Sequence, residues 1–229
     1  MTLSNKYQIE RNYINLGKAR SGQKINKVLF LVAHETATPG ADADREWKYF
    51  NDQQPSASAH TFIDDGKILE IVPLSEKAWH VQYDKPVDNQ LFGDDANDAA
   101  IGVELCRTGD FAKAYDRYVW YFAYLCKHFG LDPKKHIVSH KKLDPQRRSD
   151  PDSWLNPNGV TWDNFIAHVT DYFNRFDEAE QPKAPTYCVE SVPVKSPHTY
   201  RLAKFIDTTD CKLIDSLKKD GYRIVELPK

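Results

Sequence analysis

Six consecutive apolar residues, Val28 to Ala33, are followed at once by His34 and by the polar, turn-forming stretch Glu35 to Asp42. A run this short suits a strand buried on both faces better than a helix. Such a strand needs helices above and below its sheet, which selects an α/β architecture. His34-Glu35 could open the H-E-x-x-H helix of zinc proteases. The fifth position is Thr38, however, and Pro39-Gly40 forbids that helix. A histidine therefore stands at the end of a buried strand with no such motif to account for it.

The remaining elements follow from pattern. Residues 42–54 read as a helix with an apolar stripe of Trp47 and Phe50, ended by Pro55. "HTFI", the turn Asp65-Gly66 and "ILEIV" form a hairpin. Residues 77–100 carry turn residues and little periodicity, and read mostly as loop. "IGVELC" (101–106) is a short strand, and 112–130 is an aromatic-rich helix closed by Gly130. "KHIVSH" (135–140) is a strand ending in His140, and 141–159 is an irregular loop. Thr161 caps a helix over 162–176. The segment 177–186, with two prolines and no apolar period, reads as a linker. Beyond it lie "TYCVESVPV", a helical "TDCKLIDSLKKDG" and a final strand "YRIVEL". The expected fold class is α/β, a mixed central β-sheet flanked by helices, with a small α+β C-terminal domain. The expected domains are 1–178, a linker at 179–186, and 187–229.

Composition excludes some functions. A formal net charge of −2 argues against nucleic-acid binding. No apolar stretch approaches the roughly 18 residues of a membrane span, and the N-terminus has no secretory apolar core. The four cysteines form no CxxC pair and suit buried thiols in a protein made in the cytosol. Nothing in the pattern specifies an oligomeric state.

Chemistry concentrates at a few positions. His34 and His140 both end apolar strands, where α/β folds place their sites, and Asp150 follows ten residues after His140. Two imidazoles and a carboxylate make a three-ligand zinc set with a position left for water; the same set also suits iron. Alternatively, each histidine is a strand-end hydrogen-bonder and Asp150 a cap. Glu104 shares a strand face with Gly102 and Cys106, which is either a site face or the solvated side of an edge strand. His60 opens the hairpin. Trp79-His80 forms the wall of a saccharide or peptide groove, or lies in the core under a loop. Asn97 is a turn residue or a substrate hydrogen-bonder. Arg147-Arg148 lies beside Asp150, where a cation stabilises an oxyanion, or is a solvated loop pair.

In their order, "LFLVAHETAT", "SAHTFIDDGKILEIVP", "AWHV", "IGVELC", "IVSHKKLDPQRRSDP" and "WDNFI" resemble the zinc-dependent N-acetylmuramoyl-L-alanine amidases of the type-2 amidase family. Peptidoglycan recognition proteins and many phage endolysins share that fold. The resemblance covers roughly residues 25 to 175. It implies Zn2+ held by His34, His140 and Asp150, and Glu104 as the catalytic base. Arg148 stands where the family often has lysine, so an electrostatic role carries over and a proton-donor role does not. His60, Trp79, His80 and Asn97 are the expected substrate-binding residues. The implied activity is cleavage of the amide between N-acetylmuramic acid and L-alanine in peptidoglycan. A binding-only recognition module and a zinc peptidase of the stem peptide are the alternatives. The absent leader, the linker and the small tail fit a phage or prophage endolysin, made in the cytoplasm and released to the wall by a holin-type route. The tail, 187–229, carries 8 Lys/Arg against 6 Asp/Glu, and this mild positive balance suits peptidoglycan or a secondary wall polymer. No nucleic-acid or membrane partner is expected.

Overall fold

The apolar run becomes the second strand of a six-stranded sheet. The structure is a computed structural model that describes residues 6–83, 86–180, 186–191, 203–207, 215, 217–219 and 222–226. In chain order the elements are β1 (Ile9–Arg11), β2 (Phe30–Glu35), α1 (Ala43–Gln53), β3 (Thr61–Ile63), β4 (Ile68–Glu70), α2 (Val87–Phe92), α3 (Ala96–Ala99) and β5 (Ala100–Leu105). There follow α4 (Phe111–Phe129), α5 (Pro133–His136), β6 (Ile137–Ser139), α6 (His140–Leu143), α7 (Asp152–Leu155), a 3-10 turn at Asn156–Asn158 and α8 (Trp162–Glu180). The last strands are β7 (Thr186–Ser191), β8 (Ala203–Asp207) and β9 (Tyr222–Glu226). The chain divides into two compact units, Met1–Ala179 and Glu180–Lys229. In the second, β7 lies between β8 and β9, antiparallel to both.

The sheet of the first unit has the order β1-β4-β3-β5-β2-β6. The β3–β4 hairpin is its antiparallel pair and the other pairings are parallel. The expected mixed sheet is therefore present, with β3 and β5 in its centre and β2 interior beside β5. Glu104 is consequently on a central strand, and the edge-strand reading falls away. Alternation along these strands separates two faces. Leu31, Ala33, Ile101, Val103 and Leu105 pack into the larger core with α4 and α8. Phe30 and Val32 face the other way, against Ala96, Ala99, Val138 and Leu143. His34 and Glu104 continue that second face.

Local chemistry explains the elements that position the site. Asp110 caps α4 by accepting from Lys113 N–H, and Gly130 ends it in the left-handed conformation at φ 67°, with Leu131 N–H donating to the Cys126 carbonyl. Tyr118, on the buried face of α4, donates from its hydroxyl to the His34 carbonyl at 2.8 Å. Asp64 builds the hairpin turn: one carboxylate oxygen accepts from Gly66 and Lys67 N–H, and the other from Ala43 N–H at the start of α1.

Several boundaries differ from the sequence reading. The second strand runs through Glu35, because β5 pairs with it as far as Glu35↔Leu105; His34 therefore lies inside the strand. His140 does not end β6. It opens α6, capped by Ser139, whose hydroxyl accepts from Lys142 N–H. The segment read as loop at 77–100 contains α2 and α3, and 141–159 contains α6, α7 and the 3-10 turn. These helices are of one or two turns, too short to show a period. Strands β1 and β8 were not foreseen. Cys106 and Cys126 are free and buried, as the spacing suggested.

Candidate metal centre and its cleft

Strand register sets the first two groups. His34 on β2 and Glu104 on β5 are direct partners in a parallel pair, so both side chains leave the same face of the sheet next to one another. His140 comes from the adjacent strand–helix junction, since β6 flanks β2 on its other side. Asp150 is returned to His140 by the loop between them. Its carbonyl accepts from Lys141 N–H at 2.9 Å, and the Asp144 carbonyl accepts from both Arg147 and Arg148 N–H. The Asp144 carboxylate also holds the Arg147 guanidinium at 2.6 Å.

The three donor atoms form a near-equilateral triangle. His34 Nδ1 lies 3.0 Å from His140 Nδ1 and 3.1 Å from Asp150 Oδ2, and His140 Nδ1 lies 3.0 Å from Asp150 Oδ2. Among the described residues this is the group of three able to hold a metal ion. Ligand bonds of about 2.0–2.2 Å in a tetrahedron place donors roughly 3.3–3.6 Å apart, so the triangle is only slightly tighter than zinc requires. The protonation states also fit. Burial, with His140 nearby, lowers the His34 pKa to about 4 and keeps it neutral. Burial opposes the Asp150 carboxylate, but its hydrogen bonds with His140 and His34 prevail and hold it ionised, below the usual range. A neutral imidazole and an ionised carboxylate are the forms a cation binds.

The triangle lies in a cleft of about 430 Å³. Glu104 also faces it. One of its oxygens, Oε2, is out of solvent contact with no hydrogen-bond partner, and burial raises the carboxyl pKa well above normal. Arg148, exposed at the rim, acts against that rise. Trp79, half-buried, and Phe50 line another wall. The expected metal and catalytic residues are thus gathered in one place.

The expected substrate-binding residues divide. Trp79 and His80 line the cleft; His60 and Asn97 do not. His60 is fully buried. Its Nδ1 accepts from Gly102 N–H at 3.1 Å and its Nε2 donates to the Glu76 carbonyl at 2.9 Å, so no ring nitrogen is left for a ligand. Asn97, 1% exposed, accepts on Oδ1 from His80 and Val81 N–H and donates to the Val81 carbonyl. Its geometry braces the Trp79–His80 loop, which is the physical reason to move both residues from substrate contact to support.

Among the cleft residues that escaped the sequence reading, Glu35, Arg107 and Ser153 form a connected group. Burial raises the Glu35 pKa to about 7, opposed by the Ser153 hydroxyl bonded to it and by Arg107, whose guanidinium is 3.9 Å away. They come from β2, the loop after β5 and α7, and share no spacing. Glu35, a carboxylate two residues past the apolar run and next to His34, was the one available signal.

A family profile described as N-acetylmuramoyl-L-alanine amidase matches residues 24–153, which includes every group of the triangle and Glu104. BlyA of Bacillus subtilis, named an N-acetylmuramoyl-L-alanine amidase, is 37% identical over 157 residues, covering 63% of this chain and 42% of BlyA. The match spans less than half the length of several curated relatives: 42% of BlyA, 43% of CwlL of Bacillus licheniformis, and 44% of a probable amidase of the same species. Among solved structures, the catalytic domain of XlyA superposes with a TM-score of 0.58 at 29% identity, covering 71% of this chain and 99% of that one. A mutant endolysin from Bacillus subtilis does so at 0.59 and 28%, with the same coverage.

Proposed function

The chain belongs to the N-acetylmuramoyl-L-alanine amidase family, and from that membership we propose that it hydrolyses the amide joining the lactyl group of N-acetylmuramic acid to L-alanine in peptidoglycan. The observation that carries the proposal is the triangle of donors 3.0–3.1 Å apart with Glu104 in strand register beside it. His34, His140 and Asp150 would hold Zn2+. Bound there, zinc would supply a Lewis acid that polarises the scissile carbonyl and makes water a nucleophile near neutral pH.

The chain's own groups do the rest. Glu104 takes a proton from the attacking water and passes it to the departing amine of L-alanine. The same carboxyl holds that proton between the two transfers. Arg148 donates hydrogen bonds to the oxyanion as the carbonyl becomes tetrahedral. Trp79 and Phe50 give the cleft an apolar wall for the saccharide or peptide flanking the bond. We assign the protein an endolysin-like role on the bacterial wall, and the 187–229 unit a role in wall binding. Similarity to BlyA and to an endolysin structure supports the first assignment; the small positive charge of the tail supports the second.

Purified peptidoglycan digested with and without chelator tests the activity. New N-terminal alanine without new reducing sugar ends, abolished by chelator and restored by zinc, is the expected result. Cleavage within the stem peptide would refute it. Glu104→Gln should still bind zinc while turnover falls about 10²–10⁴-fold; undiminished turnover would remove Glu104 from its role.

A further inference from the structure

The His34 ring has a second nitrogen, and what it touches is a third histidine. His34 Nε2 lies 3.0 Å from His80 Nδ1, both buried, with the two rings nearly perpendicular. If His34 gives its Nδ1 lone pair to a metal, its one ring proton must sit on Nε2. That proton then points at His80 Nδ1, which must be an unprotonated acceptor. The proton of His80 is thereby placed on its own Nε2. This atom is buried without a hydrogen-bond partner. Each tautomer in the series is determined by the one before it.

The surroundings hold His80 for this contact. Asn97 Oδ1 accepts from the His80 and Val81 backbone N–H groups at 2.8 and 3.0 Å, which anchors the loop where the ring leaves it. Gly102 provides the space: a Cβ there would come within 2.6 Å of the His80 ring. Gly102 is in turn tied to His60, whose Nδ1 accepts its N–H and whose Nε2 is spent on Glu76. His80 is 8% exposed, with Nδ1 engaged and Nε2 buried. The ring borders the cleft, but its Nδ1 is committed to His34 and its Nε2 is out of solvent contact.

We infer, on the metal-site reading above, that His80 is a positioning residue: it accepts the His34 Nε2 proton and so orients the His34 Nδ1 lone pair toward the metal. Partners of a metal-bound imidazole are commonly a carboxylate or a backbone carbonyl. Here a neutral imidazole takes that place, which orients the ligand without adding a second negative charge behind it. The other ring ligand has no such support, since His140 Nε2 is buried without a hydrogen-bond partner. Loss of the His80 acceptor therefore falls on His34 alone.

The decisive measurement is made on the whole zinc-loaded chain labelled with ¹⁵N. The His34 proton should reside on Nε2, and a nitrogen–nitrogen coupling should connect His34 Nε2 to His80 Nδ1 across the hydrogen bond. A His34 proton on Nδ1, or no coupling to His80, would overturn the inference. Variants give the functional reading. In chelator competition, His80→Phe should weaken zinc binding about 10–100-fold. His80→Asn, whose Oδ1 takes the place of Nδ1 as acceptor, should recover most of that loss. Equal weakening in both variants would mean that the ring acts only by packing, and would refute the positioning role. A parent chain that binds no zinc would instead defeat the metal-site reading, and this inference with it.

Discussion

Replacing Asn97 with alanine separates a support from a substrate contact. The side chain makes three hydrogen bonds, accepting from His80 N–H at 2.8 Å and Val81 N–H at 3.0 Å and donating to the Val81 carbonyl at 3.1 Å. Alanine removes all three and leaves two backbone donors and one acceptor without partners. An unsatisfied buried group costs about 1–3 kcal/mol. His80 is buried, so its N–H should bear most of that cost, whereas Val81 is half-buried and water can reach its groups. The expected destabilisation is therefore about 2–4 kcal/mol, the cost of one fully buried group plus a small part of the other two. Urea unfolding of the metal-free chain measures it, and hydrogen exchange should show lost protection at the His80 and Val81 amides in particular. Zinc affinity should also fall, because the loop carries the His80 ring that meets His34. A loss of stability below about 1 kcal/mol with normal exchange at both amides would refute the bracing role. A rise in KM alone, with stability unchanged, would return Asn97 to the substrate.

Two further perturbations test the electrostatics. Arg148→Ala removes the proposed oxyanion donor at an exposed position and should lower kcat about 10²–10³-fold with little change in stability or zinc affinity; wild-type kcat would exclude that role. Burial lowers the His60 pKa to about 4, from an ordinary value near 6.5. The unfolded chain takes up a proton below pH 6.5 that folded His60 refuses, so stability is full above that pH and falls as pH drops towards 4. The loss from this residue is roughly 3 kcal/mol across the window. Denaturant unfolding of metal-free protein across that range should show a slope in His60→Gln shallower by one proton, about 1.4 kcal/mol per pH unit. An unchanged slope would show that His60 is not protected from protonation.

The order of apolar runs, caps and turns was legible because each depends on neighbours in the chain. Val28 to Ala33 requires burial on both faces wherever it lies. Gly130 ends a helix because it meets little penalty at φ 67°, and Asp64 to Lys67 turn because a short carboxylate reaches their N–H groups. Alternation also placed Glu104 opposite Ile101, Val103 and Leu105 before any fold was known. The short helices α2, α3, α6 and α7 were not legible, since one or two turns display no period. They are held by contacts from elsewhere, such as Phe92 stacked on Phe30.

The candidate site shows the same division. By itself the sequence determined which side chains were chemically capable: His34, Glu104, His140 and Asp150, each an ionisable group next to an apolar run or in a Pro-bounded loop. It could not determine which of them meet. Register does that, by setting His34 against Glu104, and so does the Lys141–Asp150 backbone bond, which returns the carboxylate to His140. Nor could it separate Asn97 and His60 from residues that touch substrate, because a buried hydrogen-bond brace and an exposed binding group have the same side chain. Only the tertiary structure decided, because burial and the pairing of donors with acceptors belong to residues brought together from distant parts of the chain.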